Sequence, residues 1–318
     1  MLVMEYQIWI GKYRLLAVDS VSIRKSVESL SDTATITLPA TYINKSIEIE
    51  QKISKGDKVE IGFGYGDNIQ TEFKGYLNSI STDDKAVKLE CEDDIFLFRK
   101  SVKNEELKNI SLGDLLKNIV SQVDGTYKIS CDYDFKYEKF VVRDANAWDV
   151  LKKIQDETKA NIYFKDDTLH VHPQYSEIGN DKTVIYDFSK NVEKSNLKYK
   201  KADERKYFVE VEGIGKDGKR ISTNVGTTGG EKRSIKIYGV TDTASLKKRA
   251  EEELKQIVYT GFEGDFTGWL VPYCEPTYKI MLRDTDYPEK NGEYYVLATE
   301  TSFSHSGGVR KIRIGKKL

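Results

Sequence analysis

Two helices and a short hairpin, packed into residues 109–172, interrupt a chain otherwise patterned for β-strands, and this confines its architecture to two β-rich flanks around a small mixed module. In Ser111–Asp124 the apolar residues Leu112, Leu115, Leu116, Ile119, Val120 and Val123 fall on one helical face. Ser111 is placed as N-cap, with Asp114 three residues on in the capping-box position. A second helix is predicted from Asn146, with Asp149 in the matching position, to about Lys159. Its inward face carries Ala147 or Trp148, Leu151 and Ile154, and Asn161 is assigned the left-handed turn that ends it. Ile162-Tyr-Phe, a turn at Asp166-Asp167, and Leu169-His-Val then form a hairpin. Helices this short need a partner surface, and the hairpin is the nearest one.

The first hundred residues alternate with period two. Tyr6, Ile8 and Ile10 share a face, as do Ala34, Ile36 and Leu38; Val59, Ile61, Phe63 and Tyr65; and Val87, Leu89 and Cys91. Turn residues bound these runs, as at Lys55-Gly-Asp and Tyr65-Gly-Asp-Asn. Half-buried strands joined by short turns predict a barrel, because closure removes exposed edges. Beyond the module, Tyr207, Val209 and Val211 alternate, and Gly213–Gly218 turns the chain back towards Ile221. The glycine- and threonine-rich Val225–Gly230 is the best candidate for a mobile loop. Thr243–Val258 reads as a long helix with Leu246, Ala250, Leu254, Ile257 and Val258 inward, charges outward and Gly261 as its stop. Strands follow at Tyr278–Leu282, Tyr294–Thr301 and Val309–Ile314. The predicted class is α+β, mainly β: a barrel domain at 1–105, an α+β module at 106–176, and a second barrel domain with one long helix at 177–318.

Composition narrows function. At 318 residues, two or three domains are expected. Fifty basic against 51 acidic residues lack the basic excess usual for a dedicated nucleic-acid binder. No apolar run is long enough to span a membrane, and Met1-Leu-Val-Met-Glu-Tyr does not resemble a signal peptide, so synthesis in the cytoplasm is the expectation. Cys91, Cys131 and Cys274 are widely spaced and odd in number, which suits small buried hydrophobes rather than a disulfide framework.

The chemistry-bearing candidates are sparse. His170 and His172 alternate onto one strand face, but zinc needs a third and usually a fourth ligand, and the remaining histidine, His305, is distant in sequence. The pair is read as lying on the open face of the hairpin. Gly62-Phe-Gly-Tyr-Gly sits in a strand-like alternation with no helix after it, so it reads as a bend or bulge rather than a phosphate loop. Glu92-Asp93-Asp94 and Glu251–Glu253 supply carboxylates without an identifiable acid pair. Arg310-Lys-Ile-Arg-Ile-Gly-Lys-Lys reads as a final strand with one wet face. No catalytic, cofactor-binding or metal residue is nominated, and the expectation is a non-enzymatic part of an assembly.

Three stretches carry a family resemblance. Phe73-Lys-Gly-Tyr-Leu-Asn-Ser-Ile is similar to an F-x-G-x-h-x-x-h strand; Ile110-Ser-Leu-Gly-Asp-Leu-Leu, Asp144-Ala-Asn-Ala-Trp-Asp-Val-Leu and Ala160-Asn-Ile-Tyr-Phe-Lys-Asp-Asp-Thr-Leu resemble, in order, its helical passage; and Gly292-Glu-Tyr-Tyr-Val-Leu-Ala-Thr-Glu-Thr-Ser-Phe-Ser-His is like its closing strands. The family is the late-control D family of phage tail proteins, the baseplate hubs of contractile tails, whose relatives form the N-terminal part of type VI secretion spike proteins. The resemblance implies a homotrimer with two similar barrels per subunit. It implies a pseudo-sixfold ring between a hexameric tail tube and a trimeric spike, located in the virion baseplate and assembled in the host cytoplasm. DNA or an effector would pass its lumen without specific binding. The alternatives are a tail-associated cell-wall-degrading enzyme and a carbohydrate-binding module.

Overall fold

A computed structural model describes residues 4–39, 52–66, 68–82, 86–176, 178–202 and 204–318. Asp67, part of the turn expected from sequence after Tyr65, lies outside the described residues, as do Met1–Val3. In chain order the first strands are β1 (Met4–Ile10), β2 (Tyr13–Arg14), β3 (Ser20–Ser26), β4 (Thr33–Leu38), β5 (Lys58–Tyr65), β6 (Asn68–Thr82) and β7 (Val87–Glu92). The middle of the chain supplies β8 (Glu105–Ser111), α1 (Leu112–Val123), β9 (Lys128–Cys131), β10 (Lys136–Val142), α2 (Ala147–Thr158), β11 (Asn161–Lys165) and β12 (Thr168–His172). Then follow β13 (Val184–Asp187), β14 (Val192–Lys200), β15 (Tyr207–Ile214), β16 (Arg220–Gly226), β17 (Glu231–Tyr238), α3 (Thr243–Ile257), β18 (Gly261–Trp269), β19 (Lys279–Arg283), β20 (Gly292–Ser304) and β21 (Gly307–Lys317). The class is mainly β with helices, α+β, as the alternation pattern predicts.

The chain forms two compact units, each discontinuous in sequence: residues 1–96, 178–198 and 263–318 in one, and 97–177 with 199–262 in the other. Among the described residues the strands form several sheets that do not close into the barrel-like domains expected. Among the described residues, thirteen strands join in one sheet, whose main path runs β14-β18-β21-β20-β3-β4-β7-β6-β5-β1-β2. The physical cause is the pairing of β3 with β20, Ile23 opposite Thr301 and Val21 opposite Phe303, which welds the first strands to the last. The core of the first unit records the same union. Phe303 stacks on Phe63 with ring centroids 4.9 Å apart and lies edge-on to Tyr6 at 5.2 Å, and Leu270 shares the cluster with Ile8, Ile36, Leu77 and Leu89.

A bulge in β6 gives this sheet a buried charge pair. Ile61 pairs with Phe73 and Gly62 with Thr71, so Glu72 is the extra residue. Both Glu72 and Phe73 are consequently buried, against the usual alternation. Gly62 faces the bulge because a Cβ there would meet Ile69 Cγ2 at 2.8 Å; at Gly64 it would lie 1.9 Å from the Asn68 carbonyl oxygen. The Gly-Phe-Gly run is therefore strand chemistry, as its alternation suggests. Gly75 has a similar explanation: a Cβ would lie 2.2 Å from the Glu92 carbonyl oxygen, so Phe73-Lys-Gly-Tyr needs its glycine for close strand approach.

Glu72 accepts a hydrogen bond from Arg310 of β21, which is 0% exposed. The guanidinium also donates to the carbonyls of Leu270 (2.7 Å) and Pro272 (3.1 Å) and to Thr301 Oγ1 (3.2 Å), and it lies over the Tyr273 ring at 5.0 Å. Arg310 thus shares the inner face of the strand with Ile312 and Ile314, where period two places it in spite of its charge. The wet face carries Lys311 and Arg313, which pair with Asp265 and Glu28 at the surface.

In the second unit, Ser111 caps α1, accepting from the Asp114 amide at 3.1 Å. Asp114 accepts from the Ser111 hydroxyl at 2.8 Å. The complete capping box is at α2, between Asn146 and Asp149. The left-handed residue that ends α2 is Lys159 (φ 60°), not Asn161, which is already paired with His172 as the first residue of β11. The hairpin turns at Asp166 and Asp167, with φ of 48° and 55°, in the sense that fits strand twist. Helix α3 packs on β15 and β16. Its stop is Val258, and Gly261 opens β18. Arg249 and Glu252, expected on its outer face, are buried: Arg249 donates to Glu253 at 3.0 Å, and Glu252 accepts from Lys255 at 2.7 Å and from the Gln174 amide at 3.2 Å. Reading every charge of a helix as outward misplaces those that find buried partners.

Removing one partner of a buried, hydrogen-bonded ion pair typically costs about 3–5 kcal/mol, whereas replacing both with apolar groups can be near neutral. Arg310→Met is expected to fall in that range by denaturant melting, and Arg310→Met with Glu72→Leu to recover most of the loss. Equal destabilisation by the single and double variants would contradict this coupling.

Candidate functional site

The first unit contains a cavity of about 440 Å³, lined by Arg24, Lys25, Ser26, Thr33, Glu92, Asp265, Thr299, Glu300, Lys311 and Arg313, among others. It forms where β3 and β20 lie side by side. Its charges are matched: Arg24 to Glu300 at 3.2 Å, Lys311 to Asp265 at 3.3 Å, Lys25 to Glu275 at 3.4 Å, and Arg313 to Glu28. A lining of opposed charges offers no basic track for a phosphate backbone.

Beside this cavity sits a carboxylate pair that sequence reading missed. Half-buried Asp32 accepts from the Ser26 amide at 3.0 Å, buried Asp93 accepts from the Ile95 amide at 3.2 Å, and the Asp93 amide donates to the Asp32 carbonyl at 3.0 Å. Burial pushes Asp32 from 3.8 up to about 6, although Lys25 and the Ser26 amide pull the other way. Burial, reinforced by the neighbouring Asp32 charge, holds Asp93 well above the ordinary carboxylate range. Both carboxyls are tied to backbone amides at strand ends, an arrangement that fixes a turn. The Glu92-Asp93-Asp94 run was visible in sequence, but Asp32 was not a candidate, because nothing local marks a partner so far away in the chain.

A second cavity, of about 380 Å³ in the other unit, is lined by Asn109, Ser111, Asp114, Lys136, Tyr137, Glu138, Thr241 and Asp242. The first turns of α1 and α3 border it, and their orphan amides are already capped by Ser111 and Asp242. In the same unit a buried polar layer accompanies α2. Burial pushes Glu157 from 4.5 up to about 7, and Tyr133 donates to the Thr158 carbonyl at 2.9 Å.

The sequence candidates fall as follows. Cys91 and Cys274 are buried and Cys131 is half-buried; all three are free thiols. Burial pushes Cys91 and Cys274 up to about 12, which leaves both as thiols at neutral pH. Of Val225–Gly230, Val225 and Gly226 end β16 and the rest leads to β17, with Thr227 donating its amide to the Tyr207 carbonyl at 2.8 Å. His170 and His172 do meet, Nδ1 to Nε2 at 3.3 Å, and His172 Nδ1 lies 2.9 Å from Asp132 Oδ1. His172 is buried rather than open to solvent, a correction that follows from Asp132 and Tyr163 flanking the pair. His305 stands apart, 3.9 Å from Asp19. Among the described residues, no group of three or more histidine, cysteine or acidic side chains is placed to hold a metal ion. No helix among them is long and apolar enough to cross a membrane.

The architecture has close counterparts among solved structures. A tail protein from Neisseria meningitidis superimposes with a TM-score of 0.71 at 15% identity, over 98% of this chain and 96% of that one. The fold is one this chain shares with phage tail proteins. The 43 kDa tail protein of prophage MuSo2 from Shewanella oneidensis gives 0.67 at 14% identity, covering 99% and 98% of the two chains. An Escherichia coli component of the type VI secretion system gives 0.57 at 10% identity, over 99% of this chain and 79% of that one. No family model matches the chain, and no curated protein matches it by sequence. The likeness resides in backbone architecture, which the order of the three sequence stretches had signalled more clearly than any one motif.

The raised carboxyls set a pH dependence. A carboxyl whose folded pKa exceeds its unfolded one stabilises the fold most below the unfolded value, and that stability is lost as pH rises through the folded value. For Asp32 the window is about 4 to 6. Asp32→Asn keeps an acceptor for the Ser26 amide and cannot ionise. Its urea midpoint should therefore fall less than the parent's between pH 4 and pH 7; parallel profiles would count against the buried pair as the cause.

Proposed function

We propose that this chain is a structural hub of a phage tail or a related contractile injection device. In this reading it forms a homotrimer whose pseudo-sixfold ring joins a hexameric tail tube to a trimeric spike. The β-rich segments 1–105 and 177–318 supply the two quasi-equivalent ring positions of each subunit, and 106–176 is the inserted module. The ring belongs to the virion baseplate and is assembled in the host cytoplasm. The reading is non-enzymatic: its working parts are broad interfaces, with no catalytic residue, cofactor or membrane span.

The observation that carries this reading is the whole-chain likeness to tail proteins, with nearly full coverage of both partners. The open sheet built from both ends of the chain supports it, since a sheet with edges is suited to continuation in neighbouring subunits. Cyclic closure then buries repeated interfaces without leaving open ends. The opposed charges around the larger cavity and the near-neutral composition suit a passage that DNA or an effector crosses without being gripped.

The test is absolute mass by light scattering, on the protein alone and co-expressed with its trimeric spike protein. Three times the chain mass in either sample, with a central hole in electron micrographs, is the expected outcome. A monomer in both would overturn the ring.

A further inference from the structure

We propose that His170 and His172 form a chelating pair for a borderline divalent transition-metal ion, with Asp132 as the positioning carboxylate. This proposal is independent of the role in tail assembly.

Alternate residues of β12 project to one side of the sheet, and here the two rings converge, with His170 Nδ1 and His172 Nε2 3.3 Å apart. Two imidazoles bound to one ion at about 2.0–2.1 Å with tetrahedral angles place their nitrogens about 3.3–3.4 Å apart. The spacing therefore suits a shared ion as well as a shared proton. The tautomers favour the ion. Asp132 accepts from His172 Nδ1 at 2.9 Å, so the proton of neutral His172 is on that nitrogen and its Nε2 carries the lone pair aimed at His170. A metal-binding histidine held through its other nitrogen by a carboxylate is the usual supporting arrangement.

Both rings are also fixed in plane. Tyr163 stacks on His170 with centroids 4.9 Å apart and ring planes only 3° from parallel. His172 is 5% exposed, whereas the Asp132 side chain is 59% exposed and leaves a solvent side to the cluster. When an ion binds, neutral His170 carries its proton on Nε2, and the ion replaces the proton otherwise shared between the rings.

Two protein nitrogens leave the other coordination positions to solvent or a small ligand. Imidazole donors select copper(II), nickel(II) and zinc(II), with copper(II) strongest, over the oxygen-seeking magnesium and calcium.

Untagged full-length protein would be titrated with zinc(II) and nickel(II) by calorimetry, with magnesium as the control ion. The proposal expects one equivalent of zinc or nickel and no magnesium uptake. His170→Gln, at a half-exposed position, should weaken binding at least tenfold. Asp132→Asn should weaken it about 10- to 100-fold, and His305→Gln should leave it unchanged. Circular dichroism of each metal-free variant separates lost ligation from lost folding. Undiminished binding in folded His170→Gln, or no saturable zinc or nickel uptake by the parent, would overturn the proposal.

Discussion

Arg310 brings a full positive charge into an apolar interior, and its surroundings make that tolerable. Glu72 neutralises it, two backbone carbonyls and a threonine hydroxyl accept three further hydrogen bonds, and Tyr273 covers its face. Such a group is stable only when all its partners are present, because a buried charge missing one of them costs several kcal/mol. Its partners come from β6, β20 and the segment after β18, while Arg310 itself belongs to β21. The ion pair therefore requires both ends of the chain to be in register at once. The β3–β20 ladder and the Phe63–Phe303 stack follow the same geometry.

The bulge that delivers Glu72 ties this constraint to local sequence. An extra residue in β6 turns one carboxylate inward, and glycines at 62 and 64 give the backbone room to accept the distortion. A feature that superficially looks like a nucleotide loop is part of the machinery that places a charge. Conserving hydrogen-bonded charge inside a sheet rather than a hydrocarbon pair favours one register over its neighbours, since a one-residue slip would strand both ions.

Much of the architecture was legible in the sequence. Alternation located β1, β4, β5 and β7, and Asn146 with Asp149 marked the start of α2, because these signals are local and rest on side-chain periodicity or backbone capping. The β3–β20 pairing was not legible: it joins residues almost three hundred positions apart, and nothing in Val21 or Ile23 names a partner. The same limit applies to charges. Period two puts Arg310 on the inner face with Ile312 and Ile314 but does not say what meets its charge, and a charged helix surface assigns Arg249 and Glu252 to solvent. Only the positions of Glu72, Glu253 and Lys255 reveal why they are inside. The histidine pair lies between these cases: spacing put both rings on one face, whereas the Asp132 contact depends on the parallel pairing of β12 with β9.

The central claim is that strands from the two ends of the chain form one cooperative sheet. Native-state hydrogen exchange of amides in β4 and β7 against those in β20 and β21 tests it most directly. The account predicts a common opening free energy and a common denaturant dependence for both sets, as expected of a single cooperative unit. Exchange of β20 and β21 through a separate, lower-energy opening, with β4 and β7 still protected, would contradict it.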